Sequence, residues 1–579
     1  MPLENGGIMM PAPSADKGES CYSYWMRCTE EYGEYWAQQH LGKKYYKSVI
    51  LSQINAFASW ARIELGLMPG DVYTVFMPTT VQSIVAFYAL NKIGVIVNFV
   101  HPLLPPEVLR ESVLQANSKG VMILDILSKK HVDTLNELGL PVLVCHSSEY
   151  AVAPLRAAIG GGELLLKKMF PKIENRDEYS KVIKRFMKAN VHDHCDADKP
   201  AVYLNGGGTT GKSKTIMLSS RQINDIVYSM SQIDRIHVPG REAEVVVLPL
   251  FHCFGLCVGL HMAVCNGARI IPMMQFDARY FNFLIKHNEV VGFIGIPVMF
   301  NKLMKEKHFE NKGLKNIRMA FCGGDDAPQS QIDAFNEKLE KWGAPGRLRQ
   351  GYGLTEVGSV CCCCTNWDYK NNSIGKAISG VTMQIWDDDC HEVPRGTIGE
   401  IVISGPTIMM GYFQNGDDTP GKGLYTDENG VKWVRSGDLG YEDEDDYFFF
   451  VGRKKRVIII SGYNVYPDDI EKRLSEFPFV GSVCLVKGWS NGKQLIRMFV
   501  SFKSQGNEED YKRMMLECIE ENFSKFSVPR EIIVVDKLPE TPLMKVDFMK
   551  LTQNRPEDKV WDPSDEKPDT GLLASLTGG

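Results

Sequence analysis

The stretch Tyr203-Leu-Asn-Gly-Gly-Gly-Thr-Thr-Gly-Lys-Ser-Lys214 sets four glycines, two threonines and two lysines behind the short apolar run 201–204. Glycine lets the backbone approach a ligand closely, so successive N–H groups can form an anion-binding concavity, and Thr hydroxyls and Lys ammoniums add donors. Residues 206–214 are therefore read as a phosphate cradle; the competing reading is a Gly-rich surface turn. The segment after the loop bears on the choice. Residues 214–218, Lys-Thr-Ile-Met-Leu, have an extended pattern, and a helix starts only after the cap candidates Ser219 and Ser220, over 221–232. The placement is strand, loop, strand.

Outward from this loop, helical and short apolar segments alternate: helix 47–66 with Ile50, Leu51, Ile54, Phe57, Ala58 and Ala61 on one face, then strand 72–77, helix 82–92, strand 95–99, helix 105–115 and strand 120–124. Further apolar runs at 244–248, 269–272, 291–296 and 318–321 each lead into a Gly- or Pro-containing loop. That alternation predicts parallel α/β layers. From 373 onward strands and tight turns predict a β-rich subdomain, and past Arg453 comes a smaller α+β pattern: strand 457–460, helix 468–476, strands 483–487 and 497–502, helix 508–522. The fold class is thus α/β, a large multi-subdomain N-terminal body with a small α+β C-terminal domain. The expected divisions are a loose N-terminus over 1–20, a body over 21–452, a small domain over 453–552, which the family resemblance given below makes a mobile lid, and a disordered, acidic, Pro-containing tail over 553–579.

Composition narrows the function classes. Of 579 residues, 44% are hydrophobic and 23% charged, which excludes disordered, collagen-like and disulfide-stapled chains. With 65 basic and 71 acidic residues the net charge is −6, so nothing global favours nucleic acid as a partner. The 15 cysteines are odd in number and scattered, and residues 1–22 lack a charged n-region leading into an apolar segment, so a reducing, cytoplasmic location is expected. Cys361 to Cys364 would alternate faces on a strand and cannot converge on one metal, so they are read as small buried hydrophobes. The most apolar stretch, 84–100, is interrupted by Asn91, Lys92 and Asn98 and falls short of a membrane span.

Residues 206–213 also satisfy GxxxxGK[ST], the P-loop pattern. A P-loop opens directly into a helix, which the strand–loop–strand placement opposes. The same segment resembles the AMP-binding signature of the adenylate-forming superfamily, with Gly206 and Gly207 in place of the usual hydroxyl residues and Ser213 in place of Pro. The resemblance runs from about Leu51 to Leu551. Its further pieces come in order: Pro249-Leu-Phe-His-Cys-Phe-Gly255, Gly323-Gly324, Gly351-Tyr-Gly-Leu-Thr-Glu356, Gly399-Glu-Ile-Val-Ile-Ser-Gly-Pro406 with Gly411-Tyr412, Ser436-Gly-Asp438, Gly452-Arg453, Ser461-Gly-Tyr-Asn-Val-Tyr-Pro467 with Glu471, and Thr541-Pro-Leu-Met-Lys545.

The resemblance implies an ATP-dependent acyl-CoA synthetase that first makes an acyl-adenylate and then a thioester with coenzyme A, using ATP and Mg²⁺. It implies that Thr209, Thr210, Gly211 and Lys214 hold the departing phosphates, with Gly323 and Gly324 also on the nucleotide. Tyr352 and Gly353 would flank adenine, Thr355 would contact phosphate, and Glu356 would hold Mg²⁺. Asp438 would clamp the ribose diol, Arg453 would add a second ribose contact, and Lys545 would bridge the substrate carboxylate and the α-phosphate. Met544 stands where the family commonly has Gly, which leaves Lys550 and Lys537 as alternatives to Lys545. Lys455 is the implied hinge of a lid whose rotation brings Gly462 and Tyr463 toward the thiol.

The segments matching the family's acyl pocket carry Phe254, Leu256, Ile296, Val298, Met299 and Val357, which suits a fatty or aromatic acid. No carboxylate lies in 252–259 to pair an amino-acid ammonium, although Asp325 and Asp326 keep that open. His252 is read either as a gate for the acid or as a satisfied core histidine. Three other readings stand beside the leading one: a ligase loading a carrier protein, a P-loop nucleotide hydrolase, and a catalytically silent binding protein on the same scaffold. No transmembrane segment is expected, and the oligomeric state is not readable.

Overall fold

The computed structural model describes residues 10–14, 18–151, 172–205, 214–231, 238–325, 327–413, 421, 423–460, 463–490, 493–503, 506–541, 546–554 and 558–562. The chain divides into two compact units. The first comprises Met1–Ala327, Gln331–Gln384 and Val402–Arg435; the second comprises Pro328–Ser330, Ile385–Ile401 and Ser436–Gly579.

Two large sheets organise the first unit. In an eight-stranded sheet, Val72–Phe76 lies between Ile96–Phe99 and Ser118–Leu124, parallel to both, and Val142–Cys145 continues the parallel set. All residues of Val72–Phe76 are buried. A strand covered on both faces is mostly apolar, and the polar exceptions here satisfy each other, Asn98 Nδ2 donating to Thr74 Oγ1 at 3.1 Å. In a nine-stranded sheet, Val290–Gly295 runs parallel to Ala243–Val246 and Met319–Cys322, and Leu348–Leu354 is parallel to the latter. Ser359–Cys363 then pairs antiparallel with Leu348–Leu354, and Cys361, Cys362, Cys363 and Cys364 are all buried, as small hydrophobes would be.

A helical layer touches both sheets. Val81–Lys92 is buried at every position and starts from a capping box in which Thr80 and Ser83 satisfy each other's backbone N–H groups. Its Tyr88 hydroxyl lies 3.0 Å from Nδ1 of His261, on the π-helical segment Phe254–Met262 that packs on the nine-stranded sheet. His261 Nε2 is 2.9 Å from Asn224 Oδ1. Burial lowers the His261 pKa to about 3. The ring is therefore neutral, with Nδ1 accepting from Tyr88 and Nε2–H donating to Asn224.

Helix Lys47–Ile63 buries Ile50, Ile54, Phe57, Ala58 and Ala61, the face marked by the apolar spacing, and ends three residues short of the expected Gly66. From Lys376 onward short strands and turns dominate, including Thr382–Trp386, Gly399–Ser404, Lys432–Glu442 and Phe448–Arg453.

The α+β part of the second unit is a sheet in which Val480–Ser490 and Lys493–Phe502 pair antiparallel and Glu531–Val534 adds in parallel. Helices Pro467–Leu474 and Glu508–Asn522 bury Ile470, Leu474, Met515 and Ile519 with Val483, Met498 and Val500. Two described residues of the acidic C-terminal segment touch this sheet. Gln553 accepts from Trp489 N–H and Arg497 Nη1, each at 3.0 Å, and Trp561 packs edge-on against Phe499 with centroids 5.9 Å apart. These two side chains complete the buried surroundings of Arg497 and Phe499. Among the described residues no helix is long and apolar enough to cross a membrane.

Candidate active site

The Gly-rich loop hangs from an antiparallel pair. Pro200–Asn205 and Thr215–Ser219 are hydrogen-bonded strands whose last register is Asn205 with Thr215, and Thr215 Oγ1 donates to Asn205 Oδ1 at 3.0 Å across the neck of the loop. The loop itself, with Thr209, Thr210 and Gly211, lies outside the described residues. Its flanks settle the competing motif reading, because a P-loop runs from strand into helix and here the chain re-enters the sheet, the helix Ser220–Ser231 coming only afterwards.

Strand Gly411–Phe413 pairs antiparallel with Thr215–Ser219, with Tyr412 opposite Ile216. Successive side chains leave a strand on opposite faces. Phe413 accordingly stacks on Tyr203 at 4.7 Å, while Lys214 Nζ lies 4.4 Å from the centroid of the Tyr412 ring, within cation–π range.

The Tyr352-Gly-Leu-Thr-Glu356 motif occupies the carboxyl end of strand Leu348–Leu354 and the single turn Thr355–Val357. That is the end at which open α/β sheets hold ligands. Tyr352 is half-buried and pairs with Cys362 across the strands. Gly358 closes the turn at φ +76°, a conformation that glycine adopts without steric cost. Glu356 Oε1 accepts a hydrogen bond from Tyr412 Oη at 3.0 Å, and the Glu356 carbonyl accepts from Met409 N–H at 2.7 Å. Burial, and then the Glu356 carboxylate, push the Tyr412 pKa up, so the phenol keeps its proton and donates. Beside it, Cys253 Sγ donates to Thr355 Oγ1 at 3.5 Å, and burial pushes that thiol up to about 12.

The donor set here fits Mg²⁺. Tyr412 occupies one carboxylate oxygen of Glu356, and among the described residues no hydrogen bond or ion pair takes the other. No cluster of three or more His, Cys, Asp or Glu residues is found among the described residues. A single carboxylate suits a small hard cation that keeps several waters and takes its remaining ligands from substrate phosphates.

Gly323 and Gly324 come directly after strand Met319–Cys322. A Cβ at Gly323 would sit 3.2 Å from Gly351 O and 3.3 Å from the Phe254 ring, so its absence lets this strand end close on the Tyr352 motif and on Phe254. Gly324 has φ +76°. His252 is half-buried, and its Nδ1 accepts from Phe254 N–H at 3.3 Å. Phe254, Leu256, Met299 and Val357 are buried and Ile296 is half-buried, whereas Asp325 is exposed. Asp325 is thus not a buried counter-ion for an amino-acid ammonium, and Asp326 lies outside the described residues.

In the second unit Asp438 and Arg453 face each other across paired strands, Arg453 Nε lying 3.5 Å from Asp438 Oδ1. Asp438 is buried and Arg453 exposed. Ser436 Oγ accepts from Asp438 N–H at 3.0 Å and donates to Ile401 O at 2.6 Å. Lys454 pairs with Asp388 at 2.7 Å and Glu400 at 3.2 Å. Lys455, the implied hinge, is exposed and makes no ion pair among the described residues.

The next residue is fully engaged. Arg456 is 9% exposed, pairs with Asp468 and with Glu471 (Nη1 to Oε2 2.9 Å), donates to Leu485 O at 3.2 Å and lies 4.8 Å from the Phe548 ring centroid. Burial opposes its charge, and Glu471 and Asp468 more than offset that, holding its pKa above the ordinary value. Tyr463 begins strand Tyr463–Val465. Gly462 and Lys545 lie outside the described residues. Two relationships escaped the sequence reading: Tyr412 on Glu356, and Cys253 on Thr355. Gly411-Tyr412 carried a signal as a motif but none for its partner, 56 positions away.

The model of a family described as AMP-binding enzyme matches residues 47–413, and the chain belongs to that family. A long-chain-fatty-acid–CoA ligase of Escherichia coli O6:H1 is 25% identical over 556 residues, covering 92% of this chain and 94% of that protein. A 4-coumarate–CoA ligase of Oryza sativa subsp. japonica is 25% identical over 507 residues, covering 84% and 83%. Among solved structures, a benzoate CoA ligase from Burkholderia xenovorans LB400 superposes with a TM-score of 0.75 over 92% of this chain and 99% of its own, at 20% identity, which establishes the shared fold.

Proposed function

We propose that this protein is an AMP-forming acid–thiol ligase that activates an apolar carboxylic acid, fatty or aromatic, and transfers it to coenzyme A. In the first half-reaction the substrate carboxylate oxygen attacks the α-phosphorus of ATP, the bond to the bridging oxygen breaks, and pyrophosphate leaves, giving an acyl-adenylate. In the second, the thiol loses its proton, its sulfur attacks the acyl carbonyl carbon, and AMP departs. Both steps depend on positioning and charge neutralisation. Bound Mg²⁺ would neutralise phosphate charge, with Glu356 as its carboxylate ligand. Lys214, with the loop residues Thr209, Thr210 and Gly211, holds the departing phosphates; Tyr352 lies against adenine, Asp438 accepts the ribose hydroxyls with Arg453 beside it, and Lys545 bridges the two anions.

The observation that carries the reading is the meeting of Lys214, Tyr412 and Glu356 beside the neck of the Gly-rich loop. Relatives named as long-chain-fatty-acid–CoA ligase and 4-coumarate–CoA ligase support the reaction class. The apolar side chains of Phe254, Met299 and Ile296, with Asp325 exposed, support an uncharged acyl group.

The test is ATP–pyrophosphate exchange across a panel of carboxylic acids. Exchange that depends on a fatty or aromatic acid is expected; no exchange with any acid, alongside acid-independent ATP hydrolysis, overturns the proposal. Coenzyme A and a phosphopantetheinylated carrier protein are then compared as acceptors. Lys545→Ala is expected to abolish adenylation and to spare thioester formation from supplied acyl-adenylate; equal loss of both half-reactions removes Lys545 from the adenylation step.

A further inference from the structure

We infer that Tyr412 is a positioning residue for the cation: its hydroxyl fixes the Glu356 carboxylate so that the second oxygen is presented, already oriented, to a divalent metal bound with the nucleotide. This rests on the reading of Glu356 as the metal's carboxylate ligand.

Tyr412 and Glu356 are held to each other at two levels. The phenol donates to Glu356 Oε1 at 3.0 Å, and three residues earlier in the same segment Met409 N–H donates to the Glu356 carbonyl at 2.7 Å. One segment thus grips both the backbone and the side chain of the acidic residue. The ring is itself fixed. It is carried on a strand whose register with Thr215–Ser219 sets the face it occupies, and Lys214 Nζ lies 4.4 Å from its centroid. Gly423 closes against it: a Cβ there would come 2.3 Å from Tyr412 Cδ2, at a φ of +86°. A side chain serving only as packing would need neither the hydroxyl nor its aim at one carboxylate oxygen.

A carboxylate rotates freely about its last torsion, and binding a cation must freeze that rotation. A partner that has already taken one oxygen removes the cost. Groups hydrogen-bonded to metal ligands in this way typically change metal affinity by about 10–100-fold when removed. The phenol is also neutral, so it orients Glu356 without competing for its charge, which a lysine in its place would do.

Tyr412→Phe is the discriminating variant, since it keeps the ring against Lys214 and Gly423 and removes only the donor. Mn²⁺ binding is measured by electron paramagnetic resonance with α,β-methylene-ATP present, at a temperature where circular dichroism shows all variants folded. The expected result is a Kd for Mn²⁺ raised about 10-fold or more, an unchanged melting temperature, and no further weakening when Tyr412→Phe is added to Glu356→Gln. An unchanged Mn²⁺ Kd, an equal loss in the Glu356→Gln background, or a wild-type protein that binds no Mn²⁺ beside the nucleotide overturns the inference. Acid-dependent exchange by the wild type is scored separately. Its absence together with weakened Mn²⁺ binding in Tyr412→Phe removes the ligase reading and keeps the positioning role, while its presence with unaltered Mn²⁺ binding does the reverse.

Discussion

Gly353 lies so close to the neighbouring strand that a Cβ on it would fall 1.7 Å from the carbonyl oxygen of Ser359. The pairing of Leu348–Leu354 with Ser359–Cys363 shifts register between Tyr352 and Gly353, and the chain then turns through Thr355 and Glu356. A residue with a side chain cannot occupy that position without moving backbone. Gly353→Ala is expected to destabilise the first unit by about 3 kcal/mol or more and to lower soluble yield. Thermal melting against wild type checks this, and an unaltered melting temperature would show that the two strands can separate there freely.

Arg456 makes a second, opposite kind of prediction. Its removal leaves Glu471 and Asp468 as buried or half-buried carboxylates without their counter-ion. Arg456→Leu should therefore cost about 3–5 kcal/mol, read as a drop in the denaturation midpoint. The double variant Arg456→Leu with Glu471→Leu should recover most of that loss, because the burial penalty goes with the charge. Equal damage in single and double variants would mean that Arg456 acts through its packing on Phe548.

Asp225, on helix Ser220–Ser231, has its pKa raised to about 6, by burial first, with Arg221 opposing and Glu19 adding. A raised carboxyl pKa means the folded state favours the protonated form. The stability it contributes is fully present below about pH 4 and lost as pH rises through 6. Asp225→Asn is thus expected to match wild type near pH 4 and to be more stable at pH 8. With the group partly exposed, the gain is on the order of 1–2 kcal/mol rather than the full linkage value. Melting curves at the two pH values decide it, and a gain that is independent of pH would point to a new amide hydrogen bond instead.

Ending the chain at Thr552 should weaken the second unit. Gln553 would no longer accept from Arg497 and Trp489, and Trp561 would leave Phe499 uncovered. Loss of a buried hydrogen-bonding partner and of an aromatic contact is expected to total roughly 2–4 kcal/mol. Limited proteolysis of the strands Val480–Ser490 and Lys493–Phe502 reads it out; protection equal to wild type would show that the tail contributes nothing.

Much of the layered architecture was legible from periodicity, because strands covered on both faces are mostly apolar and helices with one solvent-facing side keep a stripe. Lys47–Ile63, Val72–Phe76 and Glu508–Asn522 fall within a few residues of their expected bounds. Helix Val81–Lys92 lies within one residue of its expected bounds, although burial at every position leaves it little amphipathic pattern.

By itself the sequence determined the order of the motifs, the glycines that let backbone approach backbone, and the residue types suited to phosphate, cation and ribose. Those are local properties, written in neighbouring residues. The tertiary structure alone decided that Tyr412 meets Glu356 across 56 positions, that Cys253 meets Thr355 across 102, and that Arg456 sits between two carboxylates. Each depends on which strands pair and in what register, and register is set by packing summed over a whole sheet, which no single segment encodes.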